Sequence, residues 1–259
     1  MSDARRALAQ LTADLKIFRR NPAALFFTAI LPVIFLCMFV GIFGNDRLRE
    51  YDNVRSSTLQ VPAFIALAVV SAAFVSLAMG FTRMRESGML KRVRATPVPP
   101  WIVFAGRIGT SIVTAVLVTA LLMAIGSILF GVAVPTHTLP GLVAALALGA
   151  ATFCALGIAY TRVIPSEEAG PAMTNAVVLP LYFISGVFVP FRTLPDALQH
   201  VAELLPVQPF VDALRIAFDP NTTGAGFAGT DMLKLAVWGI VGLVLAVRLF
   251  GWTPRRQSG

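Results

Sequence analysis

Few residues in this chain have the types and spacing for chemistry. Glu167-Glu168 is the one adjacent pair of carboxylates. Such a pair can act as acid and base in an intramembrane protease. That arrangement also needs an arginine four residues beyond the second glutamate, and histidines at membrane depth. Ala172 occupies the arginine position, and the two histidines, His137 and His200, lie in turns between apolar runs. The pair reads instead as carboxylates at a helix N-terminus, where the helix dipole favours them. There is no GxSxG to accompany a Ser-His-Asp arrangement, and no HExxH. Cys37 and Cys154 lack metal-ligand spacing and sit in apolar runs, where cysteine is a small hydrophobe. GxxxxGK[ST] is absent, so this chain does not hydrolyse ATP through a P-loop. What remains is one dense polar stretch, Arg85-Glu86-Ser87-Gly88-Met89-Leu90-Lys91-Arg92-Val93-Arg94, closing on Thr96-Pro97-Val98-Pro99-Pro100.

That stretch is embedded in a chain that is 57% hydrophobic and only 13% charged, with a mean hydropathy of +0.79. Soluble domains carry about 25% charged residues, so the composition indicates a membrane protein. A net charge of +8 is compatible with nucleic-acid binding, but in a membrane protein it reports basic cytoplasmic loops. Nucleic acid is therefore not an expected partner, and anionic membrane lipid is. No cleavable signal is expected, because the first apolar run begins only near Ala23 and exceeds a signal core of roughly 7–15 residues.

Crossing a bilayer core takes roughly 20 apolar residues in a helix. Five stretches carry no charge: Ala23–Gly44, Val61–Phe81, Ile108–Val134, Leu139–Thr161 and Ala169–Phe191. A sixth, Met232–Trp252, has Lys234 and Arg248 near its ends, where long side chains reach the headgroups. The expected fold is an all-α membrane protein with six transmembrane helices, since only helices of this kind satisfy their backbone in lipid. Pro32 and Pro180 are expected to kink the first and fifth. Lys and Arg concentrate before the first span (Arg5, Arg6, Lys16, Arg19, Arg20) and between the second and third (Arg83, Arg85, Lys91, Arg92, Arg94, Arg107). The positive-inside rule then puts both termini in the cytoplasm.

Residues 1–22 are expected to form an amphipathic interfacial helix, with Ala4, Ala7, Leu8, Leu11, Leu15 and Phe18 on one face. Residues 82–107 form the largest cytoplasmic loop, too short to fold alone, with a short helix that Gly88 weakens and Thr96-Pro97 ends. Residues 192–231 read as two short outer helices between spans 5 and 6, over Pro195–Leu205 and Pro209–Phe218, lying in the interface or dipping in and returning. No charge lies deep in spans one to five, which argues against an ion-coupled carrier. The residues alone leave a scaffold or an intramembrane enzyme open.

Three patches covering nearly the whole chain resemble the membrane subunit of ABC-2 type ABC transporters, especially bacterial drug-efflux permeases. The first is Arg20-Asn21-Pro22 followed by Pro32. The second runs from Arg85 to Arg92 and then Ala95-Thr96-Pro97-Val98, similar to that family's cytoplasmic pattern. The third is Ile184-Ser185-Gly186-Val187-Phe188-Val189-Pro190, then Leu194-Pro195, Leu198-Gln199, Leu205-Pro206 and Val211-Asp212-Ala213-Leu214-Arg215. Lys91 and Val207-Gln208-Pro209 depart from the family pattern.

The resemblance implies that residues 1–259 form a single ABC-2 type transmembrane domain in the bacterial plasma membrane. It implies ATP-driven export of a hydrophobic or amphipathic substrate, drug or lipid-like. The loop would hold a coupling helix, with Arg85, Glu86, Gly88, Leu90, Arg92, Arg94 and Pro97 docking on a separate ATP-binding subunit and Ser166 and Glu167 adding a smaller contact. Glu86 would pair with a base on that subunit or on the N-terminal helix. Pro190, Pro195, Pro206, Asp212 and Arg215 would belong to an outer cap. ATP and Mg would be bound by the partner ATPase and no cofactor by this chain. A second permease copy would complete the transporter.

Overall fold

The computed structural model of the chain describes residues 12–13, 16, 20, 22–48, 54–94, 101–189 and 191–250. Pro97, Pro190 and most of the expected N-terminal amphipathic helix lie outside the described residues, as do the Trp252 end of the last expected span and the basic tail.

The first helix, α1, runs through Pro22–Leu25, a π turn at Phe26–Ile30, and Leu31–Phe43. In the π turn the Leu31 N–H reaches back five residues to the Phe26 carbonyl. A proline ring clashes with the carbonyl four residues before it, here that of Thr28. The widened turn makes room for Pro32 without ending the helix. Two short strands follow, β1 (Arg47–Leu48) and β2 (Val54–Arg55), paired antiparallel.

Helix α2 runs unbroken from Ser56 to Glu86, again through a π turn, Ser71–Val75. It is buried on every side from Val61 to Val70, so it is the helix that the others surround. The second π turn has no proline to cause it. Its partners are side chains that insert at the ladder. The Tyr182 hydroxyl donates to the Leu67 carbonyl at 3.3 Å and lies 3.4 Å from Ser71 Oγ, while Ser76 Oγ donates to the Ser71 carbonyl at 3.1 Å.

A two-residue turn, Ser87-Gly88, separates α2 from the short helix α3 (Met89–Arg94). Then come α4 (Trp101–Phe130), α5 (Leu139–Tyr160) and α6 (Gly170–Ile184). After a 3₁₀ turn at Phe191–Thr193 the chain forms α7 (Asp196–Leu204), α8 (Val207–Phe218) and α9 (Gly229–Leu249).

Packing follows the small residues, as it does where lipid removes the hydrophobic drive between helices. Helices α5 and α9 lie together along their lengths, and a Cβ on Gly242 would sit 3.0 Å from the Leu156 backbone nitrogen. Phe35 and Phe39 of α1, Phe64 of α2 and Phe188 beyond α6 pack ring against ring, with centroids 5.5–6.4 Å apart.

Several expected boundaries move. Four helices, within Ser56–Glu86, Ile102–Phe130, Leu139–Tyr160 and Gly229–Leu249, are long and apolar enough to cross a membrane, and Thr28–Ile42 and Gly170–Ile184 are shorter apolar helices. The fifth expected span ends at Ile184 and not at Phe191. Gly186 turns the chain there with φ +68°, and the Arg215 guanidinium holds its carbonyl at 2.6 Å. The polar loop is also shorter than 82–107, because α2 continues to Glu86 and α4 begins at Trp101.

Candidate functional site

The C-terminus of α2, helix α3 and the turn joining α5 to α6 meet at one end of the molecule. Arg83 and Arg85 leave α2 two residues apart, about 200° around a helix with 3.6 residues per turn, and therefore reach different partners. Arg83 Nε lies 2.7 Å from Glu167 Oε1, with both side chains largely exposed. Arg85 is only 3% exposed. Its Nη1 donates to the Thr161 carbonyl and its Nη2 to the Ile164 carbonyl, both at 2.7 Å, and its Nε donates to Glu86 Oε1 at 2.7 Å. These carbonyls lie at the end of α5, where a helix leaves acceptors unsatisfied. One guanidinium thus ties the end of α2 to the end of α5.

Among the described residues Glu86 thus pairs with Arg85, whereas the resemblance implied a base on another subunit or on the N-terminal helix, most of which lies outside them. Its carboxylate, 18% exposed, also borders an open cleft of about 250 Å³ with Ser87, Ser166, Glu167 and Glu168. The Glu167-Glu168 pair does not cap α6 as expected. The N-cap residue is Ala169, with no side-chain cap; its N–H reaches Ser166 Oγ at 3.3 Å, and Glu167 is drawn to Arg83. The Glu168 carboxyl is held below its usual range by its own backbone N–H and by the Ser166 hydroxyl.

Gly88 takes φ +70°, which an L-residue rarely adopts, and the Arg92 N–H donates to its carbonyl at 3.1 Å to open α3. Leu90 is fully buried, while Met89, Lys91 and Arg92 are exposed. Among its described side chains, helix α3 is thus anchored by Leu90 and presents cations outward. Arg94 closes α3, and its side chain and Pro97 lie outside the described residues. The structure brings together Arg85, Glu86, Gly88, Leu90, Arg92, Ser166 and Glu167 as singled out from sequence, and adds Arg83 and Glu168 as their neighbours.

The described residues of the expected outer cap, Pro195, Pro206, Asp212 and Arg215, lie at the opposite end. Pro195 is the exposed N-cap residue of α7, and Pro206 the buried N-cap residue of α8. The two helices differ. Helix α7 turns Leu198, Val201 and Leu204 outward, whereas α8 is buried between α2, α5 and α9. A flat interfacial position does not fit α8, which dips into the helical body. Gln208 Nε2 donates to Asp212 Oδ2 at 2.7 Å, and Arg215 Nη1 lies 3.5 Å from Asp212 Oδ1. Burial pushes the Asp212 carboxyl up, against the pull of Arg215 and Gln208. Arg215 thereby links α8 to the turn that ends α6.

The profile of the ABC-2 type transporter family matches residues 7–218. The chain is 25% identical over 194 residues to the inner membrane transport permease YadH of Escherichia coli strain K12, covering 74% of this chain and 75% of that protein. It is 24% identical over 204 residues to the putative transport permease YvfS of Bacillus subtilis strain 168, covering 76% and 79%. It is 25% identical over 250 residues to the daunorubicin resistance ABC transporter permease protein DrrB1 of Streptomyces coeruleorubidus, covering 94% and 85%.

Proposed function

The chain belongs to the ABC-2 type transporter family, and on that premise we propose that it is the membrane-spanning subunit of an ATP-driven exporter. Its relatives are transport permeases, and its apolar helices make it a multi-pass membrane protein. In this reading the whole chain is one transmembrane domain. The two shorter apolar helices join the four long ones as six spans, and both termini face the cytoplasm. A second permease copy and two ATP-binding subunits complete the transporter. ATP and Mg belong to those subunits, and this chain contributes no catalytic residue.

The observation that carries the coupling role is the Arg85 clamp. A partner pressing on the cations of α3 moves Gly88 and the end of α2. Through Arg85 it must then move the end of α5 and the turn into α6. Lys91, Arg92 and Arg94 would face acidic groups on the ATPase, and the cleft edged by Glu86, Glu167 and Glu168 would accept a base. At the other end Pro190, Pro195, Pro206, Asp212 and Arg215 would close the path, with α8 as a plug that Arg215 links to α6. The apolar composition of the helices suits a hydrophobic or amphipathic cargo. The daunorubicin resistance of DrrB1 supports a drug-like one.

Purification from native membranes in mild detergent tests the reading. An ATPase with a Walker motif is expected to co-purify and hydrolyse ATP. Combining Glu86→Ala with Arg92→Ala is expected to leave the complex assembled or weakened but to uncouple ATP turnover from export. Absence of any such partner, or unchanged export in the variant, would refute it.

A further inference from the structure

The ribbon end of the molecule carries an arrangement that coupling does not use. In the β1–β2 ribbon Arg47 stands opposite Arg55, and directly opposed residues share a face, where like charges repel. Both side chains are exposed. They border an open cavity of about 280 Å³ together with Thr58, Gly131, Phe218 and Asn221. Among the described residues neither guanidinium has an ion-pair or hydrogen-bond partner. Among the described acids near the cavity, Asp219 Oδ1 accepts the Asn221 N–H at 2.8 Å, and Asp46 Oδ2 would stand 3.5 Å from a Cβ on Gly44.

Three further features favour an anion in this cavity. It receives the first turn of α2, whose opening N–H groups of Ser56 and Ser57 bond to the Asp46 carbonyl and Asn45 Oδ1. Thr58 comes next, in the stretch where a helix N-terminus has N–H groups without partners and a positive dipole end. Gly131, at φ +66°, lets a guanidinium lie against the chain: a Cβ there would stand 3.1 Å from Arg55 Nη1. Phe218 supplies a buried apolar wall.

We propose that this cavity binds the phosphate of an anionic headgroup, bridged by Arg47 and Arg55. A tetrahedral phosphate has enough oxygens to occupy two guanidinium forks, each making short charge-assisted bonds, whereas a carboxylate fills one. The apolar wall suits a phosphate attached to an acyl tail. The proposal does not depend on which side of the membrane this end faces or on the ATPase reading.

The full-length chain in mild detergent is titrated with phosphatidic acid, with phosphatidylcholine of the same tails, and with inorganic phosphate, and the bound fraction is read by native mass spectrometry. The double variant Arg47→Gln, Arg55→Gln is compared with a control, the double variant Arg192→Gln, Arg248→Gln, which removes the same number of charges at exposed positions away from the cavity. Phosphatidic acid is expected to bind wild type and control alike and the Arg47, Arg55 double variant at least about tenfold more weakly, the loss of charge-assisted donors. Phosphatidylcholine, with no net charge, is expected to bind more weakly than phosphatidic acid. If inorganic phosphate displaces the lipid and shows the same loss in the Arg47, Arg55 variant, the site takes a free phosphate. If it does not compete, the headgroup of a lipid is the ligand. Equal binding by wild type and the Arg47, Arg55 variant, an equal loss in the control, or no phosphate ligand bound by wild type would overturn the proposal. Both variants replace exposed side chains, and matching melting temperatures in detergent exclude misfolding as the cause of a loss.

Discussion

Arg83 and Arg85 carry the same charge on the same helix end, yet their substitutions should differ sharply. Replacing Arg85 leaves the Thr161 and Ile164 carbonyls and the Glu86 carboxylate without a buried donor, and an unsatisfied buried polar group costs about 1–3 kcal/mol. Replacing Arg83 removes an exposed ion pair worth about 0–1 kcal/mol. Thermal unfolding in one detergent should therefore show a large drop for Arg85→Gln and a small one for Arg83→Gln. Arg85→Lys should not rescue fully, because an ammonium lacks the planar fork that spans three acceptors. Equal drops would mean that Arg85 is not the tie between α2 and α5. Asp212 gives a second residue-level expectation, with a sign. Burial raises its carboxyl from the usual 3.8, so the folded chain keeps this proton to a higher pH than the unfolded chain does. The stability this contributes is complete below the ordinary carboxylate range and is lost as pH rises through the folded value. Against Asp212→Asn, wild type should lose melting temperature as pH rises through that window. Parallel pH profiles for the two would refute this.

Among the elements, α5 meets the π turn of α2 backbone against backbone. A Cβ on Gly157 would stand 2.7 Å from the Phe74 carbonyl oxygen and 2.9 Å from the Phe74 Cα. Backbone cannot step aside as a side chain does, so Gly157→Ala must part the two helices. Overpacking of this kind costs about 1–3 kcal/mol. The variant should express less well and melt lower in detergent than Gly41→Ala in α1, whose added Cβ would meet nothing within 4 Å. A Gly157→Ala that melts with wild type would mean the π turn is not held by this approach. The existence of these helices was legible in the sequence, because long apolar runs have few other solutions in lipid. Their ends were less so. The stop at Ile184 depends on Arg215, a partner 29 residues from Gly186 in sequence, and the run of α2 through Arg85 and Glu86 depends on carbonyls near residue 161. The second π turn had no signal at all, since it rests on Tyr182 and Gly157, which lie far along the chain from it. For the site, residue types were legible and pairings were not. Charge marked Arg85 and Glu86 as special, but only the fold shows Arg85 buried and Glu167 facing Arg83 and not capping a helix.

Across the whole molecule the two ends differ in charge in a way that sets orientation. The α3 end gathers Arg83, Arg85, Lys91 and Arg92 against Glu86, Glu167 and Glu168, with Arg94, Arg107, Arg162 and Arg248 on adjoining segments. The ribbon end has Arg47, Arg55, Arg192, Arg215 and Lys234, matched by Asp46, Asp196, Glu203, Asp212, Asp219 and Asp231. Lys and Arg near span ends, and not net charge, decide which side stays inside, and the α3 end holds the greater number. It should face the cytoplasm, where ATP is. Cysteine labelling tests this directly. With Cys37 and Cys154 replaced by alanine, Thr223→Cys at the ribbon end and Ser87→Cys at the α3 end each place a thiol at an exposed position. A membrane-impermeant maleimide added to intact cells should label the residue 223 thiol and should reach the residue 87 thiol only after permeabilisation. The reverse pattern would place α3 outside the cell. A cytoplasmic ATPase could not then touch it, and the Arg85 clamp would have to serve some purpose other than coupling.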